Sequence, residues 1–131
     1  MSKYGQTAVQ ATALVSGGSV QSPTDGWEVA VQRIFPNQEG SQKKGCPKNT
    51  YLGLCEEGLV KGVPQGDYTR SQDNKRYALE AVQLLRGNSA LASDRSLLWK
   101  AIMKGENKVE NYQMDVVLTL WNEGLIHREK V

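Results

Sequence analysis

Glycine, proline and small polar residues divide this chain into short segments, and most of these segments carry apolar residues at helical spacing. The segment that begins at Ser22 shows the pattern. Ser22 can cap a helix, Pro23 suits its first turn, and Asp25 favours the positive end of the helix dipole. Apolar residues then recur at i, i+3, i+4 and i+7 from Trp27 until Pro36. This pattern predicts an amphipathic helix.

Further segments follow the same design. Helical patterns are predicted over residues 5–15, 46–58, 71–87, 93–105 and 109–123. Residues 37–45 hold no apolar side chain and are expected to form a mobile loop, and glycine and proline break up residues 59–69, with a brief extended piece at Val60. The sequence therefore predicts an all-α fold: one compact domain, residues 1–131, with about six helices and two longer loops.

One pattern occurs twice. The stretches LCEEGLV at 54–60 and LWNEGLI at 120–126 share L-x-x-E-G-L followed by a β-branched residue. Each predicts a Schellman helix end, in which Gly58 or Gly124 takes a positive φ and the leucine that follows folds back onto the helix. The triplet Ala-Val-Gln occurs three times at unequal spacing, which rules out a solenoid repeat and indicates similar helical faces.

Length and composition indicate a globular protein. The chain has 131 residues, of which 39% are hydrophobic and 23% charged, and its apolar runs are too short to cross a bilayer. The N-terminus carries no apolar signal segment, so we expect a cytoplasmic protein with reduced cysteines and no membrane partner. The net charge of +2 is too small to imply a polyanionic partner.

The sequence lacks the residues that several classes of enzyme require. The single histidine, His127, lies in a polar tail, which disfavours Ser-His-Asp or Cys-His catalysis, and neither ligands nor spacing suit a zinc site. The chain has no G-x-x-x-x-G-K-[ST] motif and no G-x-G-x-x-G motif between a strand and a helix. We assign no catalytic residues, metal or cofactor, and the sequence favours a non-enzymatic function without excluding an enzyme.

The two cysteines are interpreted separately. Nine helical residues separate Cys46 from Cys55, or roughly 13 Å along the axis, which is too far for a disulfide or a shared metal. Cys55 has leucine neighbours and is expected to be buried. Cys46 begins its segment beside Lys43, Lys44 and Lys48, where a thiolate would have a lowered pKa. The alternative is a helix cap that happens to be cysteine, since no activating base is identifiable.

Polar residues on the last predicted helix give a second candidate feature. Asp115 follows Asn111 by four residues, which places both on one helical face, with Gln113 between them. These groups either form a solvated stripe, or they line a pocket or brace the neighbouring loop, which would require hydrogen-bonded partners. The candidate ligand-binding residues are therefore Cys46, Lys48, Asn111, Gln113 and Asp115.

Tyrosines beside basic residues suggest a further kind of site. Four tyrosines lie close in sequence to lysine or arginine, the mixture used to stack bases and neutralise phosphates: Tyr51, Tyr68, Tyr77 and Tyr112. Tyrosines at the edge of a core have the same neighbours, so the sequence favours nucleic-acid binding less than binding of a protein or a small molecule.

The blocks CPKNTYLGLCEEGLVKGV and NYQMDVVLTLW resemble a family of small uncharacterised bacterial proteins, a domain of unknown function associated with mobile gene cassettes of integrons. The similarity covers residues 46–126. It implies a compact helical domain in the bacterial cytosol and brings no catalytic residues with it. A shared site would involve Cys46, Pro47, Lys48, Gly53, Gly58, Asn111, Gln113 and Asp115.

Three functions are compatible with these observations. The first is a non-enzymatic protein-interaction module of mobile-element type that binds an unknown protein partner or itself as a homo-oligomer. The second is a small-molecule-binding protein or a thiol-dependent enzyme with a pocket around Cys46, Asn111 and Asp115. The third is weak nucleic-acid binding. The first is favoured because a helical domain without a catalytic constellation more often serves as an interaction surface.

Overall fold

The computed structural model describes residues 2–129 and is all-α over that range. Six helices have nine or more residues, so the predicted fold class is confirmed. A short 3-10 helix, Ser89–Ser93, precedes α6. The α-helices are α1 (Lys3–Ser16), α2 (Pro23–Ile34), α3 (Glu39–Gln42), α4 (Gly45–Glu56), α5 (Gln72–Gly87), α6 (Arg95–Met103) and α7 (Gln113–Asn122).

The helices surround one hydrophobic core. Helix α1 packs against α2 and α7, and α4 packs against α5 and α7. The largest side chains at the centre include Trp27, Tyr51, Leu54, Leu98, Met114 and Leu120. They belong to the apolar stripes of the predicted helices, because residues at i, i+3, i+4 and i+7 share one helical face. In the part of the chain described, no helix combines the length and the apolar character that crossing a membrane requires.

The repeated L-x-x-E-G-L pattern ends α4 and α7 as predicted. Gly58 and Gly124 have φ values of 72° and 74°. In each copy the N–H of the leucine after the glycine donates to the carbonyl of the first leucine of the pattern, at 3.1 Å in α4 and 2.9 Å in α7. This is the Schellman hydrogen bond, and it satisfies a carbonyl that the helix end would otherwise leave open.

The two helix ends also pair with each other. Val60 and Ile126 form an antiparallel bridge, which confirms the extended piece predicted at Val60. The Lys61 N–H donates to the Leu125 carbonyl at 2.8 Å, and the His127 N–H donates to the Leu59 carbonyl at 3.0 Å. Exchanging the two sequence copies exchanges these two bonds, so the two paired segments are related by an approximate twofold axis.

The start of α4 differs from the prediction. The helix begins at Gly45 with Lys44 as its N-cap, so Cys46 and Pro47 are its second and third residues, and the assignment of Cys46 as the cap was wrong. No side chain of the described residues caps this end. The Asn49 side-chain amide donates to the Gly45 carbonyl at 3.0 Å. Cys46 therefore lies inside the first turn.

Residues 37–45 were predicted to form a mobile loop, but residues 39–42 form helix α3, so the loop prediction was wrong there. Hydrogen bonds attach this segment to the rest of the protein. The Gln42 side chain donates to the Phe35 carbonyl at 2.7 Å, and the Tyr4 hydroxyl donates to the Ser41 carbonyl at 2.8 Å. Since polar contacts rather than buried apolar side chains anchor α3, the apolar pattern of the sequence could not predict it.

Two other helix starts were misplaced. Asp94, not Ser93, caps α6, with its carboxylate accepting from the Leu97 N–H at 3.0 Å. Helix α7 begins at Gln113 and not at residue 109, because Tyr112 has a left-handed backbone with φ of 68°. Residues 109–112 are therefore outside the helix, which changes the geometry of the predicted polar stripe.

Glu56, near the end of α4, anchors the long connection to α5. Its carboxylate accepts from the Tyr68 N–H at 2.8 Å, from the Thr69 N–H at 3.2 Å and from the Lys75 ammonium at 2.6 Å. The Lys75 hydrogen bond, followed by that from Tyr68, lowers the pKa of Glu56. Glu57 also contacts Lys75, at 2.9 Å, but is more exposed.

Replacing Gly124 with alanine tests the left-handed helix end. A Cβ at Gly124 would meet no atom within 4 Å, so the change measures backbone strain alone. We expect a loss of about 1 kcal/mol in the free energy of unfolding, read from urea midpoints. Gly87→Ala is the control, since this glycine also has open space but lies within α5 without a positive φ, and it should not destabilise the protein. Equal effects of the two substitutions would contradict the assignment.

Replacing Glu56 with glutamine should destabilise the protein by about 1–3 kcal/mol at pH 7, because the carboxylate accepts charge-assisted hydrogen bonds. A folded-state pKa below the unfolded value of about 4.3 stabilises the protein above that pH, and this stabilisation is lost as the pH falls through the folded-state pKa. The difference between wild type and Glu56→Gln in urea unfolding should therefore shrink below about pH 4. Glu57→Gln, at the exposed neighbour, should cost less; a difference that persists in acid would contradict the role of Glu56.

Candidate functional site

A cleft of about 320 Å³ lies where the starts of α4, α5 and α7 meet α6 and the segment 104–112. We call it the Tyr77 cleft. Residues far apart in the sequence line it: Cys46, Ser71, Asp73, Asn74, Tyr77, Trp99, Lys108, Val109, Asn111 and Gln113.

Two aromatic side chains contribute its apolar wall. The Tyr77 and Trp99 rings meet edge to face with centroids 5.3 Å apart, and their exposed fractions are 2% and 8%. The Trp99 indole N–H donates to the Lys108 carbonyl at 3.1 Å, and the Lys108 ammonium lies 5.6 Å from the Tyr77 ring centroid. The indole hydrogen bond therefore holds the segment before α7 against α6.

A chain of amide hydrogen bonds forms the polar side of the cleft. Gln113 is buried; its side-chain oxygen accepts from the Asn111 N–H, and its side-chain nitrogen donates to the Asn74 side-chain oxygen at 3.2 Å. Asn74 in turn donates to the Ser71 hydroxyl at 3.0 Å. This network joins the starts of α5 and α7, and it engages the acceptor oxygens of Gln113 and Asn74.

The Tyr77 hydroxyl is buried and has no hydrogen-bond partner among the described residues. Donation from the Lys108 ammonium toward the Tyr77 oxygen, followed by the charge of Asp73, raises the pKa of the lysine, although this contact falls outside the geometry of a full hydrogen bond. An ammonium only donates, so the phenol O–H would lack an acceptor even beside Lys108. A buried, unsatisfied hydroxyl costs about 1–3 kcal/mol and calls for an explanation.

The two cysteines have different environments, as predicted. Both are free; Cys55 is buried, and burial raises the pKa of its thiol to about 12, whereas Cys46 is half-buried and lines the cleft. Lys48, expected to act on Cys46, instead pairs with Glu28 on α2 at 2.6 Å. Lys43 pairs with a glutamate of α3. The reactive-thiol hypothesis for Cys46 stays a prediction.

The cleft brings together three of the five predicted site residues: Cys46, Asn111 and Gln113. Asn111 precedes α7 and so does not share a helical face with Asp115, contrary to the prediction. Asp115 lines a neighbouring cleft of about 410 Å³ and accepts from the Arg95 guanidinium at 2.6 Å. With 12% of its side chain exposed, Asp115 attaches α7 to α6 and is not part of a solvated stripe.

Sequence reasoning did not assign Trp99 or Asn74 to a ligand site, and it considered Lys108 only as a basic neighbour of a tyrosine in the nucleic-acid hypothesis. The sequence pattern of α6 indicates that Trp99 is a core residue. Its spacing from neighbouring residues does not distinguish a side chain that lines a cleft from one that is buried in the core. A weak signal existed for Asn74, because Ser71 at a helix cap favours polar neighbours in the first turn. The tyrosines do not form one surface for nucleic acid, since Tyr51 and Tyr77 are both buried.

The titratable side chains do not suggest a metal centre. Within residues 2–129, no three His, Cys, Asp or Glu side chains are grouped so that they could hold a metal ion. Asp73, the carboxylate of the Tyr77 cleft, pairs with Lys108 at 3.4 Å. The cleft therefore presents hydrogen-bonding and aromatic groups.

Comparison with known proteins places the chain in a family but not in a functional class. A model described as a family of unknown function (DUF6979) matches residues 1–127. No curated protein and no solved structure matches the chain.

Removing the Tyr77 hydroxyl tests whether it lacks a partner. Tyr77→Phe should leave the free energy of unfolding unchanged or raise it, because a desolvated and unpaired group is lost. Tyr4→Phe is the matched control: Tyr4 is also buried, but its hydroxyl donates to the Ser41 carbonyl, so its loss should cost about 0.5–1.5 kcal/mol. Urea unfolding measures both. A clear destabilisation by Tyr77→Phe would show that the hydroxyl has an acceptor in the free protein.

Proposed function

We propose that this chain, which belongs to the family of unknown function DUF6979, binds a small organic ligand in the Tyr77 cleft. The observation that carries the proposal is the buried Tyr77 hydroxyl, for which the described part of the chain supplies no acceptor. Buried polar groups are nearly always hydrogen-bonded, and a bound ligand would supply the missing partner. The volume of about 320 Å³ suits a compact molecule.

The chemistry of the lining supports this proposal. Ligand sites typically combine an apolar wall with a few polar groups that orient the molecule. Tyr77 and Trp99 supply the wall here, and Gln113 is held in place by hydrogen bonds at both ends of its amide. Because these contacts exist before any ligand binds, little ordering would oppose binding.

Protein interaction and thiol chemistry have less specific support. Large exposed apolar side chains are few among the described residues, namely Leu97, Val109 and Tyr112, so a protein-interaction function stays a prediction. A thiol-dependent reaction at Cys46 would need a base, and the carboxylate of the lining, Asp73, is paired with Lys108. The bacterial source, the cytoplasmic location and the association with integron cassettes also stay predictions.

A titration with three small aromatic compounds tests the proposal. Benzamide, benzoate and benzamidine share one shape and differ in charge, and each is added to about 10 mM, where millimolar affinities are measurable. We expect at least one compound to shift the NMR signals of the Trp99 indole and the Gln113 side-chain amide. The indoles of Trp27 and Trp121, which do not line the cleft, are internal references.

Two variants locate the binding. Asn111→Leu changes the lining of the Tyr77 cleft and should weaken binding, whereas Lys44→Ala alters the neighbouring cleft and should not. Signal changes that are absent for all three compounds, or that follow Lys44 instead of Asn111, would contradict the proposed function.

A further inference from the structure

The two halves of the chain repeat one order of elements. Helices α1 and α5 both contain Tyr-x-x-x-Ala-Val-Gln, at residues 4–10 and 77–83. The next long helix in each half, α2 or α6, has a tryptophan five positions after its cap, Trp27 after Ser22 and Trp99 after Asp94. The third, α4 or α7, ends in the L-x-x-E-G-L pattern.

The packing follows the same relation. Helix α1 of the first half packs on α7 of the second, and α5 of the second half packs on α4 of the first. Exchanging the two halves also exchanges the two hydrogen bonds at the Val60–Ile126 bridge. Tyr4 lies against Tyr112 before α7, with ring centroids 5.0 Å apart, while Tyr77 shares its cleft with Cys46 at the start of α4. Tyr4 and Tyr77 therefore occupy equivalent positions.

The connecting segments of the two halves differ. The chain is longer between Trp27 and Leu54 than between Trp99 and Leu120, and it includes α3, which has no counterpart in the second half. It is α3 that brings the Ser41 carbonyl to the Tyr4 hydroxyl, at 2.8 Å. The shorter segment uses the Lys108 carbonyl to bind the indole instead, so the second tyrosine is left without an acceptor.

We propose that the ligand of the Tyr77 cleft carries a neutral carbonyl oxygen of the amide class, which accepts from the Tyr77 hydroxyl as the Ser41 carbonyl accepts from Tyr4. This inference rests on the proposed function and specifies its ligand. The lining has further donors for such an oxygen, because the side-chain nitrogens of Gln113 and Asn74 each carry two N–H groups and each makes one hydrogen bond here. Its one ammonium, on Lys108, is paired with the Asp73 carboxylate, so the lining carries no net charge and favours a neutral group.

A missing partner alone would not carry this inference. The Trp27 indole N–H is also buried and has no partner within residues 2–129, but Trp27 lines neither the Tyr77 cleft nor its neighbour. At Tyr77 the side chain that carries the buried, unpaired donor also lines a cleft, and the equivalent residue in the same protein shows which group satisfies it.

The same three compounds test this inference through their relative affinities. Benzamide carries the neutral carbonyl and should bind more tightly than benzoate or benzamidine. Tyr77→Phe should weaken benzamide about three- to tenfold, the worth of one hydrogen bond. Tyr4→Phe, the same chemical change at the equivalent position, should leave the affinity unchanged. NMR titration measures all three affinities, and urea unfolding shows that each variant is folded.

Different failures have different meanings. If benzoate or benzamidine binds in the cleft more tightly than benzamide, the neutral-carbonyl inference is overturned and the proposed function stands. The same conclusion follows if benzamide binds in the cleft but Tyr77→Phe does not weaken its binding. Absence of binding by all three compounds would overturn both, and an ordered water would then be the partner of the Tyr77 hydroxyl.

Discussion

The antiparallel bridge between Val60 and Ile126 joins the ends of α4 and α7, the two helices on which the long helices α5 and α1 pack. Both helices stop at a glycine with a left-handed backbone, which turns the chain so that the next residues can pair. The starts of the same two helices meet at the Tyr77 cleft. Helices α1 and α5 then pack on α7 and α4, and this arrangement puts two equivalent tyrosines beside two clefts.

The two equivalent tyrosines, Tyr4 and Tyr77, differ in whether their buried hydroxyls have a hydrogen-bond acceptor. A buried hydroxyl without an acceptor destabilises the folded protein, and the two halves of the chain differ in whether they supply one. Helix α3 supplies a backbone carbonyl to Tyr4, whereas the shorter connection of the second half leaves Tyr77 unpaired beside an open cleft. A candidate ligand site thus arises from a difference between two similar halves.

Much of the helical architecture was predictable because helix formation has local causes. The cap at Ser22, the stripe that begins at Trp27 and the two Schellman ends depend on residues a few positions apart, and the structure has them where the pattern placed them. The failures occurred where distant contacts hold a segment. Tyr4 and Phe35 anchor α3, and the left-handed Tyr112 delays the start of α7, which separated Asn111 from the helical face of Asp115.

The sequence by itself determined which segments are helical and where glycine ends two of them, because periodicity and capping act over one or two turns. It also indicated Cys46 and Gln113 as candidate site residues. The tertiary structure decided that these two residues line one cleft, that Asp115 pairs with Arg95 elsewhere, and that Tyr77 lacks an acceptor among the described residues. The physical reason is that desolvation and hydrogen bonding depend on which side chains are brought together by packing. The spacing of residues along the sequence does not specify those partners.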